Sequence, residues 1–268
     1  MTIYSVSDIH GSQRALENAL AQIIKLGFDE KSPDDKIYFL GDYVDRGFDS
    51  QEVLTTIKTL QDELGPKKIV ALMGNHDEMF LAWLANGNSL HIANDRPLRT
   101  INSFGSTFTP RMLFKLHEEN SQIYLWNMDY REGFPYDEIF KAKLRVQYGE
   151  LLDWYSKLPY FKESKNAIYV HAGFDESGDV HWSESSFSDM TWKYPAEHGF
   201  TPWGKPIVAG HIMTRELNRT INGLYNDSIF RSDDHIYIDG AAPITNKLNI
   251  LIESDDGKFY DGWTGTSI

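Results

Sequence analysis

A chain of 268 residues, 41% hydrophobic and 24% charged, is long enough to bury a substantial core and polar enough for an aqueous surface. Its 39 acidic residues against 26 Lys and Arg give a net charge of −13, which argues against a nucleic-acid surface because phosphate backbones need clustered cations. The lack of cysteine excludes disulfides and thiolate metal sites, and no apolar run approaches the roughly 18 residues needed to span a bilayer.

The first residues, Met1 to Val6, have neither a basic start nor a long apolar stretch, so the chain is expected to carry no signal peptide and to be cytoplasmic. Ile3 to Val6 reads as a buried strand. From Gln13 to Leu26, the residues Leu16, Ala19, Leu20, Ile23 and Ile24 share one helical face, with Ser12 placed as the N-cap. Ile37 to Leu40 is a second strand. After Ser50, a stripe of Val53, Leu54, Ile57, Leu60 and Leu64 predicts a helix that Gly65-Pro66 stops. Ile69 to Leu72 is a third strand, and Met79 to Ala85 begins a helix ending near Asn86-Gly87. This β-α-β-α-β-α alternation predicts a layered α/β core with a largely parallel sheet.

The stretch from about 88 to 160 reads differently. It is rich in Asn, Arg, aromatic and turn residues, includes Asn102-Ser103-Phe104-Gly105-Ser106, and ends in a helix around Lys141 to Leu158. It is expected to be a cap-like insertion on a single domain spanning residues 1–268. Strand signals return at Ala167–Val170 and Pro206–Ala209, and the tail adds candidates at His235–Ile238 and Leu248–Ile252.

Five polar motifs sit at or just after these strands: Asp8-Ile9-His10-Gly11, Gly41-Asp42-Tyr43-Val44-Asp45-Arg46-Gly47, Gly74-Asn75-His76-Asp77, His171-Ala172-Gly173 and Gly210-His211. In open α/β sheets, ligands bind beyond the carboxyl ends of strands, so segments far apart in sequence can converge on one crevice. Carboxylate, imidazole and amide donors together suit Mn²⁺, Fe²⁺ or Zn²⁺. One carboxylate can bridge two ions about 3.5–4 Å apart. Asp42 is the best-placed bridge, since it follows a strand and a permissive glycine. Each motif alone has a plainer meaning. Asp-X-His pairs are common, Gly-Asn-His-Asp can be an Asx-turn, and single histidines such as His171 and His211 are more often core or surface residues. The joint order and placement are what point to a metal centre.

The first three motifs resemble the signature blocks of the calcineurin-like metallophosphoesterases, and Val44-Asp45-Arg46-Gly47 resembles the PPP-type serine/threonine phosphatase branch. The resemblance runs from residue 8 to residue 211. It implies an α/β layered sandwich of mixed β-sheets flanked by helices, with an insertion, and two divalent metal ions, Mn²⁺ foremost, with Fe or Zn as alternatives. Asp8, His10 and Asp42 would hold one ion; Asp42, Asn75, His171 and His211 would hold the other. Arg46 would clamp phosphate. His76 would protonate the leaving alkoxide while Asp45 orients it, and Asp77 would support the site. A hydroxide bridging the ions would attack phosphorus, so Ser5, Ser7 and Ser12 receive no nucleophilic role.

The activity so implied is hydrolysis of phosphomonoesters on phosphoserine or phosphothreonine proteins. The symmetrical diadenosine tetraphosphatases share the same blocks, so a dinucleotide is the alternative substrate, with Trp126, Tyr130 and Tyr136 as candidates for stacking on adenine. A non-catalytic metal-binding module is the third reading, and the joint presence of Asp45, Arg46 and His76 argues against it. The chain departs from the family's pattern twice. No arginine lies between His171 and His211, where Lys193 is the candidate substitute, and Ile212-Met213-Thr214 follow His211 in place of the usual Thr-Pro. The absence of a second histidine after His211 favours the PPP branch over nuclease-like relatives. Asp239-Gly240 resembles a late family block with a supporting role.

Overall fold

The structure, a computed structural model, describes residues 1–86, 99–105, 137–178 and 180–268. Its strands in chain order are β1 (Ile3–Val6), β2 (Lys36–Phe39), β3 (Ile69–Ala71), β4 (Phe161–Glu163), β5 (Ile168–Val170), β6 (Ile207–Ala209), β7 (Phe230–Ser232), β8 (His235–Tyr237), β9 (Leu251–Glu253) and β10 (Phe259–Asp261). They form two five-stranded sheets, ordered β10-β9-β1-β2-β3 and β4-β5-β6-β8-β7. Three strands of each sheet run parallel, β1-β2-β3 or β5-β6-β8; β9 and β10 extend the first sheet antiparallel beyond β1, leaving β3 at its other edge, whereas β4 and β7 flank the second sheet antiparallel on both sides. The mixed sheets flanked by helices that the family resemblance implies are present, and the parallel part expected from the element order is β1-β2-β3 within the first of them.

Alternation along the strands builds three layers of core. Tyr4, Val6, Ile37, Phe39, Ile69 and Ala71 face helices α1 (Gln13–Lys25), α2 (Ser50–Leu64) and α3 (Asn75–Asn86). The intervening residues Ile3, Tyr38, Leu40, Val70 and Leu72 face the other sheet and meet Ala167, Tyr169, Val208, Ile236 and Ile238. On that sheet's far side, Ile168, Val170, Ile207, Ala209 and Tyr237 pack with Phe174, Trp182, Met190 and Leu217. Strands buried on both faces are dominated by apolar side chains, which is why they read as near-continuous apolar runs, with Ser5 of β1 and His235 of β8 as buried polar exceptions. Each fully buried Ile or Leu contributes roughly 1.5–3 kcal/mol, and this core does the work that a cysteine-free chain cannot assign to disulfides.

Parts of the 88–160 stretch pack onto this helical layer. Helix α4 (Arg99–Ser103) lies on α2, and Phe104 stacks on Phe80 of α3 with ring centroids 5.4 Å apart. The predicted helix at Lys141–Leu158 is two, α5 (Asp137–Gln147) and α6 (Gly149–Tyr155). The break falls at Tyr148, which leaves helical geometry (φ −121°, ψ 23°) and sets its ring edge-on to Phe104 at 5.2 Å. Trp126, Tyr130 and Tyr136 lie outside the described residues. The remaining helices are α7 (Phe187–Trp192), α8 (Thr214–Asn222) and α9 (Ala242–Thr245). Among the described residues no helix is long and apolar enough to cross a membrane.

Two helix starts differ from expectation. Ser12 occupies the N-cap of α1, but its hydroxyl makes no capping bond and donates instead to the His10 carbonyl. Helix α3 begins at Asn75 rather than Met79, because Asp77 reaches back to accept from the Gly74 N–H at 2.9 Å, as the third residue of a capping box does.

Candidate metal centre

The loops that follow β1, β2, β3, β5, β6 and β8 all leave from the carboxyl ends of parallel strands. Parallel register sets Val6 beside Phe39 and Phe39 beside Ala71, so the residues just beyond them are brought together. Backbone bonds extend the contact: His10 N–H donates to Asp42 O at 2.9 Å and Gly11 N–H to Tyr43 O at 2.8 Å. The two sheets are tied here by His171 Nδ1–H, which donates to Leu40 O at 2.8 Å, and by His211 N–H, which donates to Asp8 Oδ2 at 3.0 Å.

Such close approach needs glycine at chosen points. A Cβ on Gly74 would lie 2.3 Å from Asp42 Oδ1 and 2.4 Å from Asp42 N. Gly74→Ala is therefore expected to push Asp42 aside and weaken Mn²⁺ binding by at least about tenfold. Equilibrium dialysis on protein with an unchanged circular dichroism spectrum checks this, and unaltered affinity would rule out the displacement.

The backbone is held in a costly conformation. Asp8, His10, Asp42, Asp45, Arg46 and His211 have φ between 47° and 70°, making them six of the nine described non-glycine residues with positive φ. Left-handed geometry costs of order 1–3 kcal/mol at each such residue, and its clustering at one place marks a functional site. Asp and His tolerate it better than most residues; Arg46 does not belong to that group.

Side chains converge in two groups. In the first, His10 Nδ1–H donates to Val44 O at 2.7 Å, which leaves the Nε2 lone pair 3.4 Å from Asp42 Oδ2 and 3.9 Å from Asp8 Oδ1. That Nε2 is buried and has no hydrogen-bond partner. In the second, His171 Nε2 lies 3.4 Å from Asp42 Oδ1 and 2.9 Å from Asn75 Oδ1, which is also 3.1 Å from His211 Nδ1. Asp42 thus turns one carboxylate oxygen to each group. A buried, orphaned nitrogen lone pair between carboxylates, and a second set of N and O donors sharing Asp42, fit two divalent cations.

His76 stands at the edge of the first group, and the donor atoms of His10, Asp42 and His76 lie within 4.8 Å of one another. Its Nδ1–H, however, donates to Asp45 Oδ2 at 2.6 Å, and its Nε2 faces the Arg46 guanidinium at 3.1 Å. A nitrogen aimed at a cation is poorly placed to ligate another. Asp77 joins the motifs: its carboxylate accepts from the backbone N–H groups of Asp42, Tyr43 and Gly74 and from the Tyr155 hydroxyl.

Electrostatics agree with a cationic occupant. Asp8, Asp42, Asp45, Asp77 and Asp239 are each at most 1% exposed, a concentration of buried carboxyl groups whose ionised forms bound positive charge would favour. Burial lowers His10 to about 3 and His211 to about 4, so both are neutral donors at pH 7. Burial pushes Asp42 upward, but His171, His76, His10 and Arg46 outweigh it and hold the carboxyl below its ordinary range. Burial also raises Asp8, raises Asp77 to about 6, and raises Asp239 well above the usual carboxylate value. For His76, burial pulls downward, yet Asp42 and Asp45 prevail and raise it.

The six ligand candidates named from the sequence, together with Asp45, Arg46, His76 and Asp77, lie in this one cluster. Asp239 joins them beyond β8, its Oδ1 accepting from Ala241 N–H at 2.7 Å. Lys193 lies beside the His171 turn, with its stem over Gly173 and its amine 3.3 Å from Glu197. Sequence reasoning missed Ser7, whose hydroxyl donates to Asp8 Oδ2, as well as Tyr155 and Thr100. Ser7 could have been flagged by adjacency to Asp8; the other two carry no local signal.

Over 82 residues the chain is 44% identical to a symmetrical bis(5'-nucleosyl)-tetraphosphatase of Acidovorax sp. (strain JS42), a stretch covering 31% of this chain and 26% of that protein. The chain therefore matches well under two thirds of the length of this curated relative. Among solved structures it resembles the cold-active protein-tyrosine phosphatase of a psychrophile, Shewanella sp. (16% identity, TM-score 0.55, covering 100% of this chain and 79% of that one). It also resembles a protein serine/threonine phosphatase from Saccharomyces cerevisiae (14% identity, TM-score 0.52, covering 95% and 73%). At such identities the structural likenesses establish the fold. The model of the calcineurin-like phosphoesterase family matches residues 1–238, and the chain belongs to that family.

Proposed function

We propose that this protein is a two-metal phosphoester hydrolase acting on phosphomonoesters, with phosphoserine or phosphothreonine proteins as substrates. The observation that carries the reading is the Asp45–His76 pair set beside two donor groups that share Asp42. A metal-storage or scaffolding site has no use for an imidazole oriented by a buried carboxylate.

Asp8, His10 and Asp42 would hold one ion, and Asp42, Asn75, His171 and His211 the other. When bound, two divalent ions supply Lewis acidity that acidifies water and screens phosphate charge. Arg46, whose side chain is exposed, binds the phosphate oxygens, a task suited to its planar fork. In the structure its Nη2 sits 3.1 Å from His76 Nε2. A phosphate that draws Arg46 away leaves His76 Nε2 able to carry the proton it delivers to the leaving alkoxide. Asp45 fixes the Nδ1–H tautomer and the ring's direction. Neither Ser7 nor Ser12 serves as nucleophile: Ser7 is committed to Asp8, and Ser12 to the His10 carbonyl.

A second reading, hydrolysis of a symmetrical dinucleoside tetraphosphate, is favoured by the 44% identity over 82 residues to an enzyme of that name. Initial rates with Mn²⁺ on a phosphothreonine peptide and on diadenosine tetraphosphate separate the two. The first reading expects the larger kcat/KM on the peptide. Preference for the dinucleotide would replace it with the second, and inactivity on every phosphoester tested, with metals bound, would remove both.

A further inference from the structure

Helix α4 comes from the stretch that reads in sequence as turn-rich insertion, yet it grips the most constrained turn of the site. Thr100 is fully buried. Its hydroxyl accepts from Asp45 N–H at 2.8 Å and donates to Asp45 Oδ1 at 2.8 Å. A hydroxyl has one proton to give, so in the 3.2 Å contact with Ser50 Oγ it is Ser50 that donates. The other Asp45 oxygen, Oδ2, accepts from His76 Nδ1–H. The neighbouring Arg99 donates through Nη1 to the Arg46 carbonyl while its guanidinium lies 4.0 Å from the centre of the Phe48 ring. Ser103 Oγ accepts from Gln51 N–H at 3.0 Å. These bonds brace the residues whose φ angles are 70° (Asp45) and 64° (Arg46).

We propose that Thr100 is a positioning residue for catalysis: it fixes the plane of the Asp45 carboxylate and, through it, the direction in which His76 presents Nε2. The inference rests on the reading of His76 as proton donor. Rotation of this carboxylate about its Cβ–Cγ bond would carry the imidazole with it. Bonding at both oxygens, together with the Asp45 N–H, stops that rotation. Nothing in this role requires Thr100 to touch substrate or metal, and its effect should appear only where protonation of the leaving group matters.

The test compares kcat on phenyl phosphate, a poor leaving group, with kcat on dinitrophenyl phosphate, a good one, at saturating Mn²⁺. Thr100→Val keeps the branched shape and removes the hydroxyl. It is expected to lower kcat on phenyl phosphate by about 10–100-fold, with a loss on dinitrophenyl phosphate at least about tenfold smaller. Thr100→Ser should recover most of the loss, because it restores the hydroxyl. Equal losses on both substrates, or no loss on either, would overturn the proposal, as would failure of Thr100→Ser to recover activity. Should Thr100→Val not fold, Thr100→Ala supplies the same comparison. His76→Asn run alongside separates the two levels of the argument. If His76→Asn itself shows no leaving-group dependence, the proton-donor reading fails; if it does and Thr100→Val does not, only the positioning role fails.

Discussion

His76→Asn is expected to cut kcat on a phosphoester by about 10²–10⁴-fold, the usual worth of a positioned proton donor, while both metal ions stay bound. The two halves of this expectation come from different atoms. The His76 ring is tied to Asp45 and Arg46, and the substitution removes that chain of contacts. The His76 backbone N–H, which donates to Asp42 Oδ1 at 3.0 Å, is untouched by it, so the shared carboxylate keeps its support. Steady-state kinetics and elemental analysis on the same preparation read both. The geometry also defines the contrary outcome, because His76 Nε2 lies within reach of the group formed by His10 and Asp42. Loss of one ion in the variant would make His76 a ligand and strip it of the proton-donor role.

The parts of this molecule that were legible in the sequence share a cause. Strands buried on both faces are largely apolar, so Ile69–Ala71 and Ile207–Ala209 announce themselves, as does Ile3–Val6 despite its buried Ser5. The centre was legible because tight turns at strand ends force Gly, Asp and His into short, recognisable strings. What escaped is marginal or non-local. Strands β4, β7 and β10 lie at sheet margins, where Lys162 and Arg231 can point to solvent and no apolar run survives. The apolar stripe of α3 begins only at Met79, four residues after the helix itself starts, and its capping acid, Asp77, reads in sequence as a site residue alone. Asp77 does both jobs with one carboxylate. Thr100 meets Asp45 across 55 positions of sequence, and Tyr155 meets Asp77 across 78; neither contact leaves a mark on local pattern. Tyr155 is buried on α6, and its place in the helix says nothing of where its hydroxyl goes.

Asp42→Asn is expected to reduce bound metal from two ions per chain to one or fewer and to abolish the thermal stabilisation that Mn²⁺ confers. In the native site, Oδ2 faces His10 Nε2 and Oδ1 faces His171 Nε2, each at 3.4 Å. An amide of the same size must place its NH₂ at one of these positions. There it offers a donor where a cation needs a lone pair, and the remaining oxygen carries no formal charge. The His76 N–H continues to need an acceptor at the Oδ1 position, which steers the NH₂ toward His10 and so singles out the first group for loss. Affinity there should fall by more than the about 10–100-fold that outlying partners of a metal ligand typically cost. Because an ion that binds only the folded chain stabilises it by RT ln(1 + [L]/Kd), a Mn²⁺ titration of Tm reports each ion's affinity without any assay of turnover. Wild-type protein should gain Tm in two stages as Mn²⁺ rises, and the variant should lose the stage belonging to the His10 group. If metal content and both stages persist in Asp42→Asn, the carboxylate does not bridge, and the site must be rebuilt around Asp8 and Asn75 as separate anchors.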